Sequence, residues 1–172
     1  LANFPKLSQN VPGLLGNGKA TIAESGGLLA SVANLLRFHQ DRGDLPAPNG
    51  PADVAGVNSY LKNQCLPLAG GSESLCDGFL SQDGSDEQMV NLWRISGFVG
   101  GAADFEAGEP SLETVRDWLS AGSPVLVALR LATDGVAVGM HYVVATGVAG
   151  NGGIPAYDPG GYFGRNSVND LV

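Results

Sequence analysis

Leu28, Leu29, Val32, Leu35 and Leu36 recur at three- and four-residue spacing, with polar stretches on either side and no proline between them. That apolar stripe predicts a helix over about Ser25–Phe38. A stripe of this kind must be covered by another layer of structure, so it constrains the fold more than any other segment. The segment before it is punctuated by Pro5, Pro12, Gly13, Gly16 and Gly18 and cannot hold a long regular element. After it come a Pro-, Asp- and Gly-rich loop at Gly43–Gly50 and a short helix near Ala52–Lys62. Residues 63–88 read as irregular, and Leu92, Trp93, Ile95 and Phe98 form a short element of either type. Ser111 reads as the N-cap of a helix carrying Leu112, Val115, Trp118 and Leu119. The last third changes period: Val125–Leu129, His141–Thr146 and Ile154–Tyr157 read as strands, the last ending at the turn Asp158-Pro159-Gly160-Gly161. Helices first and an antiparallel sheet after them make an α+β layout.

The 172 residues suit one domain spanning 1–172, and a chain of that size buries enough surface to fold without a metal or staple. A hydrophobic content of 44% against 15% charged residues is globular rather than disordered. The net charge of −8, with no Lys/Arg cluster, opposes nucleic-acid binding. No apolar run approaches the ~20 residues that span a bilayer, so membrane insertion is not expected. The first residues, Leu1-Ala2-Asn3-Phe4-Pro5, lack an initiator Met and read as a mature or truncated start. Cys65 and Cys76 flank a Gly-, Ser- and Leu-rich stretch. A bridge there would contribute roughly 2–3 kcal/mol and imply an oxidising compartment. The alternative is a pair of unrelated buried thiols.

Several segments carry chemistry when taken in order. Ser8-Gln9-Asn10 offers an amide early in the chain, and Thr21-Ile22-Ala23-Glu24-Ser25-Gly26-Gly27-Leu28-Leu29 opens the central helix. Ala121-Gly122-Ser123-Pro124-Val125-Leu126-Val127 leads into the sheet, Gly139-Met140-His141-Tyr142-Val143-Val144 carries a histidine on a strand, and Ala156-Tyr157-Asp158-Pro159-Gly160-Gly161 carries an acid at a turn. Thiol-protease chemistry needs a cysteine at a helix N-terminus, a histidine as base and acid, a side chain that orients it, and a donor facing the oxyanion.

From Gln9 to Gly161, these segments resemble a papain-like cysteine peptidase of the double-glycine (bacteriocin-processing) peptidase-like family. The resemblance implies a papain-like fold, with N-terminal helices packed on a C-terminal antiparallel sheet. It implies His141 as base, Asp158 as its orienting acid and Gln9 as oxyanion donor. Gly27 stands where the family has its nucleophilic cysteine. Glycine has nothing to attack with, and Ser25 is displaced by roughly 6 Å of backbone. Natural divergence, a laboratory change and misalignment all account for Gly27.

On the same resemblance, His141 and Asp158 are expected on adjacent strands, facing Gly27 across a cleft with Gln9 at the same end. His39, the only other histidine, suits a helix C-terminus. Trp93 and Trp118 read as core. Asp83-Gly84-Ser85-Asp86-Glu87 reads as a solvated acidic loop rather than a calcium loop, and Arg42-Gly43-Asp44 as a chance match to an adhesion tripeptide. No cofactor or metal is expected. Two function classes follow: a pseudopeptidase whose cleft holds an extended peptide or protein without cutting it, and an active thiol peptidase whose cysteine was changed. A structural module of a larger surface protein is a weaker third. The expected location is secreted or at the surface of a bacterial cell; the oligomeric state is left open.

Overall fold

The computed structural model describes residues 3–67, 74–81, 88–134 and 136–161. The run 83–87 lies outside them. A single turn, α1 (Ile22–Ser25), leads into the central helix α2 (Gly27–Asp41). Thr21 caps α1 through a reciprocal pair with Glu24: the Glu24 amide donates to Thr21 Oγ1, and the Thr21 amide donates to Glu24 Oε2. The Thr21 amide, and the Thr21 hydroxyl that also donates to Oε2, hold the Glu24 carboxyl below its ordinary range. From Leu28 to Leu36 every residue of α2 is buried, so the helix is covered all round rather than along one stripe.

Two layers do the covering. On one side, α3 (Val54–Lys62, capped by Asp53) and α4 (Leu92–Phe98, capped by Asn91) pack Val57, Leu61, Ile95 and Phe98 against Leu29, Val32 and Leu36. Each fully buried aliphatic side chain contributes about 1.5–3 kcal/mol. On the other side lies an antiparallel sheet in the order β5 (Val125–Thr133), β6 (Val136–Ala145), β7 (Ala156–Tyr157). Its α2-facing residues include Leu126, Val144 and Tyr157, which meet Leu35 and Phe38. The opposite parity, Val125, Val127, Leu129, Val143, Ala145 and Ala156, packs with Val115 and Leu119 of α5 (Leu112–Ser120), whose N-cap is Ser111. Alternation along the strands thus sends successive residues to different helices. The β5–β6 hairpin closes at Thr133↔Val136, where Asp134 takes φ 51°, a conformation Asp tolerates.

The architecture is α+β, and the details differ from the sequence reading in specific places. The stretch 63–88, expected to be irregular, holds short antiparallel ladders: β1 (Cys65–Pro67) with β2 (Ser74–Cys76), and β3 (Phe79–Ser81) with β4 (Gln88–Val90). Cys65 and Cys76 sit opposite each other in register and form a disulfide. Just beyond it, Arg94 grips the Asp77 carboxylate with two N–H donors, which keeps the Asp77 carboxyl below its ordinary range. Trp93 and Trp118 are not core: they are 81% and 45% exposed. On a helix, Trp93 lies about 200° from Ile95, the residue that faces the core, so it points outward.

Two buried asparagines fasten irregular chain to helices. Asn34 Oδ1 accepts from the Leu7 amide at 2.9 Å, while Asn34 Nδ2 donates to Leu7 O at 2.8 Å and Ala30 O at 2.7 Å. Asn58 does the same for the loop before α1, accepting from Gly16 N at 2.9 Å and donating to Leu14 O at 3.0 Å. Each amide replaces the strand that the Pro- and Gly-broken N-terminal segment lacks.

Asn34→Leu keeps the branched shape and strands the Leu7 amide and carbonyl. It is expected to lower unfolding free energy by about 2–4 kcal/mol in denaturant titration. Thiol titration of the denatured, unreduced protein is expected to find no reactive cysteine; two thiols would mean that the Cys65–Cys76 bridge does not form.

Candidate functional site

The candidate residues gather where α2 begins and where the chain leaves β7. Gly27 is the first residue of α2, and Gly26 before it supplies no side-chain cap. The first-turn amides of a helix have no partner within it, so this end carries a partial positive charge. One turn further on, Ser31 Oγ donates to Tyr142 O at 3.3 Å, which sets the first turns of α2 beside the stretch of β6 that carries His141.

His141 is 7% exposed and Asp158 is 6% exposed. His141 Nε2 lies 2.8 Å from Asp158 Oδ1. An ionised carboxylate only accepts, so Nε2 carries the proton and donates. Asp158 stands one residue past β7, rather than on it, in a turn it closes itself. Its Oδ1 accepts from Gly160 N at 2.9 Å, and its carbonyl accepts from Gly161 N at 3.2 Å, with Gly161 at φ 69°. The neighbouring carboxylate and burial both push the Tyr157 phenol up, burial more.

Gln9, which alone would be a solvated loop residue, is 2% exposed. The Asn34 clamp on Leu7 delivers it there. Its backbone amide donates to Pro159 O at 3.1 Å, and Ser8 Oγ donates to the same carbonyl at 3.3 Å. Its side-chain Nε2 donates to Ala23 O at 2.7 Å. That carbonyl needs a donor, so it fixes which end of the amide is which. Gln9 Oε1 therefore turns toward Gly27, where it lies 3.3 Å from the point a Cβ would occupy. Gln9 Oε1 is buried and accepts no hydrogen bond among the described residues.

The structure thus brings Gln9, Gly27, Asp158 and His141 to one end of the molecule through a run of short links. The arrangement differs from the expected cleft in one respect. Strand alternation gives His141 the parity of Val143 and Ala145, the α5 side, whereas α2 covers the parity of Val144. The links between the His141–Asp158 pair and the start of α2 run through Gln9, whose backbone amide donates to Pro159 O and whose Oε1 lies over Gly27.

Sequence reading missed Asn34, Asn58 and Ser31. A polar residue inside an apolar helical stripe was the available signal for Asn34 and Ser31. The Arg42-Gly43-Asp44 tripeptide is closed on itself: Arg42 Nε pairs with Asp44 Oδ2 at 3.0 Å, His39 Nδ1 reaches the same carboxylate oxygen at 3.2 Å, and the Arg42 guanidinium lies over Phe38. Among the described residues there is no cluster of metal-ligating side chains, and no helix is long and apolar enough to cross a membrane. No family model, curated protein or solved structure matches this chain.

The unsatisfied Gln9 oxygen predicts an inverted order of substitutions at position 27. Alanine has the better helix propensity, by roughly 0.5 kcal/mol, but its Cβ would cover Oε1 without donating to it. Serine would bring a hydroxyl donor. Gly27→Ser is expected to be more stable than Gly27→Ala by about 1 kcal/mol. The advantage should vanish in a Gln9→Met background, as measured by a double-mutant cycle of chemical denaturation.

Proposed function

We propose that this chain is a papain-like, pseudopeptidase-type domain of the double-glycine peptidase-like kind, binding an extended peptide or protein without cutting it. Secretion or display at a bacterial surface is part of the same reading, and the Cys65–Cys76 bridge suits an oxidising compartment. The observation that carries the reading is the convergence on one helix start. Gln9, buried and tied to the Asp158-Pro159 turn, holds its amide over Gly27, and the buried His141–Asp158 pair closes that same turn. In a thiol peptidase the position-27 side chain supplies the nucleophile. With glycine there, no covalent acyl intermediate can form, and loss of a nucleophile commonly removes ~10⁶-fold in rate. What remains is a site able to hold a peptide.

A second reading, an active cysteine peptidase whose cysteine was changed to Gly27, is favoured by the space at that position. Beyond its own helix and chain neighbours, a Cβ at 27 meets only Gln9 Oε1 within 4 Å, and at 3.3 Å that amide must give by a few tenths of an ångström. A cysteine there would sit at the helix start, where the dipole and a nearby imidazolium lower a thiol's pKa. The coding sequence at position 27 separates the two readings: a cysteine codon supports the active peptidase, and a glycine codon the pseudopeptidase.

Both share one test. The protein as given should neither cleave peptide substrates nor react with iodoacetamide under non-reducing conditions. Gly27→Cys should be alkylated at pH 7 at least tenfold faster than free cysteine, with the excess lost in Gly27→Cys/His141→Ala. Alkylation at the rate of an ordinary thiol would mean that position 27 is not a nucleophile site, and the peptidase-type reading would fail.

A further inference from the structure

β5 is the outer strand of the order β5-β6-β7, and among the described residues its backbone makes no hydrogen bond outside the ladder with β6. Every second residue along its 9-residue length therefore turns an amide and a carbonyl outward, unpaired. Folded proteins blunt such an edge with charges, Pro, a bulge or a covering segment. Here Pro124 stands before the strand, and the ladder's irregularity puts its extra residue into β6. Arg130 is the only charged residue from Val125 to Thr133.

Trp118 flanks this edge. Arg116 Nε donates to Gly152 O at 3.3 Å, in the β6–β7 connection, so Arg116 marks the β7 side of α5. Trp118 is two residues on, about 200° round the helix, with Val115 and Leu119 facing the sheet between them. Its half-exposed ring thus lies on the β5 side, and Ser123 N, donating to Trp118 O at 3.0 Å, keeps it near the start of β5. The cluster under α5 takes in Val125, Val127 and Leu129; Leu131, next on the same parity, is half-buried and outside it.

We propose that the β5 edge is a dimer interface, at which a second copy of this chain adds its own β5 antiparallel about a two-fold axis at Leu129. The strand complements itself about that residue. On the α5 face Leu129 meets its own copy, Val127 meets Leu131, and Val125 meets Thr133. On the other face Ala128 meets Arg130, so the smallest side chain receives the longest. Trp118 beside the start of one strand then lies against Leu131 near the end of the other, the residue its own α5 leaves uncovered. An unrelated extended peptide could satisfy the backbone, but the complements of Trp118 and Arg130 are already present in this chain. The edge is roughly 30 Å long, and the strand and helix layers together are roughly 20 Å deep. Two copies then bury on the order of 1,000 Å², where specific interfaces begin. The net charge of −8 on each copy opposes association, although β5 itself contributes no acid. The dimer is accordingly a weak one. It stands independently of the peptide-binding reading.

Sedimentation equilibrium of the intact chain in about 0.15 M salt should show the 17.6 kDa species passing to twice that mass. The expected Kd is roughly 1–100 μM. Ala128→Arg sets guanidinium groups opposite Arg130 and should weaken the dimer by about tenfold or more, whereas Ala128→Glu offers Arg130 a carboxylate and should tighten it about threefold. Trp118→Ser should weaken it about tenfold, with circular dichroism showing that each variant is folded. Cross-linking reads the register without these variants. Because Cys65 and Cys76 are bridged, Ala128→Cys and Arg130→Cys each introduce a single free thiol. Mixed under mild oxidation, the two variants should cross-link to each other in about threefold excess over either with itself. A chain that stays monomeric up to about 1 mM, about ten times the weakest expected Kd, overturns the proposal and leaves the edge to another occupant. A dimer that Ala128→Arg and Trp118→Ser leave unchanged, or cross-linking that favours either variant with itself, overturns it equally.

Discussion

The amide of Asn34 is the interaction on which the rest of the site depends. It sits inside α2, fully buried, and meets the backbone of Leu7 as a neighbouring strand would. A buried amide with its donor and acceptor unmet would be among the most costly features a core can hold. Here both ends are met only if the N-terminal segment lies along the helix. The polar defect in an apolar helix thereby specifies where a segment with no regular structure must run. Two residues further, Gln9 reaches both the start of α2 and the Pro159 carbonyl. Residues 7–9 are thus locked between the central helix and the last described turn.

That dependence explains what could and could not be read from the sequence. The stripe Leu28–Leu36 announced a helix because burial follows a 3.6-residue period, and its existence was legible although its start shifted to Gly27 and its end to Asp41. The strands at Val125 and His141 were legible as apolar runs, but β5 and β6 extend to Thr133 and back to Val136, because ladder pairing carries the hairpin past its buried part. Ser111 was legible as a cap, since its hydroxyl has a local partner in the Thr114 amide. The ladders within 63–88 were not legible. Each is three residues long, too short to show a period, although the Cys65–Cys76 bridge across the first was expected from the loop-like stretch between the two cysteines. Trp93 was misread because size argues for burial while helical phase argues against it, and phase decided.

The site was legible in a different sense. Gln9, Gly27, His141 and Asp158 were chosen by order along the chain, and they come to one end of the fold. The sequence could not give their polarity. Which atom of Gln9 faces Gly27 depends on the Ala23 carbonyl, and which face of the sheet His141 takes depends on the count from Val143. Both are decided by alternation and hydrogen-bond accounting, and a motif records neither.

The His141–Asp158 pair and the Gln9 amide differ in how far structure alone accounts for them. Asp158 accepts from His141 and Gly160 and shapes the turn that leaves β7, so the pair pins the last described strand to β6 whether or not anything is cut. A carboxylate and an imidazole with that structural role need no nucleophile to account for them. Gln9 has structural reasons for its backbone and for its Nε2, which hold Pro159 and Ala23. Its Oε1 has none. A methionine or leucine would fill the same volume without burying an unmet acceptor, and would be the better choice for packing alone. Among the described residues, Gln9 Oε1 is the side-chain atom at this end of the molecule that neither packing nor hydrogen bonding explains, and it is aimed at Gly27.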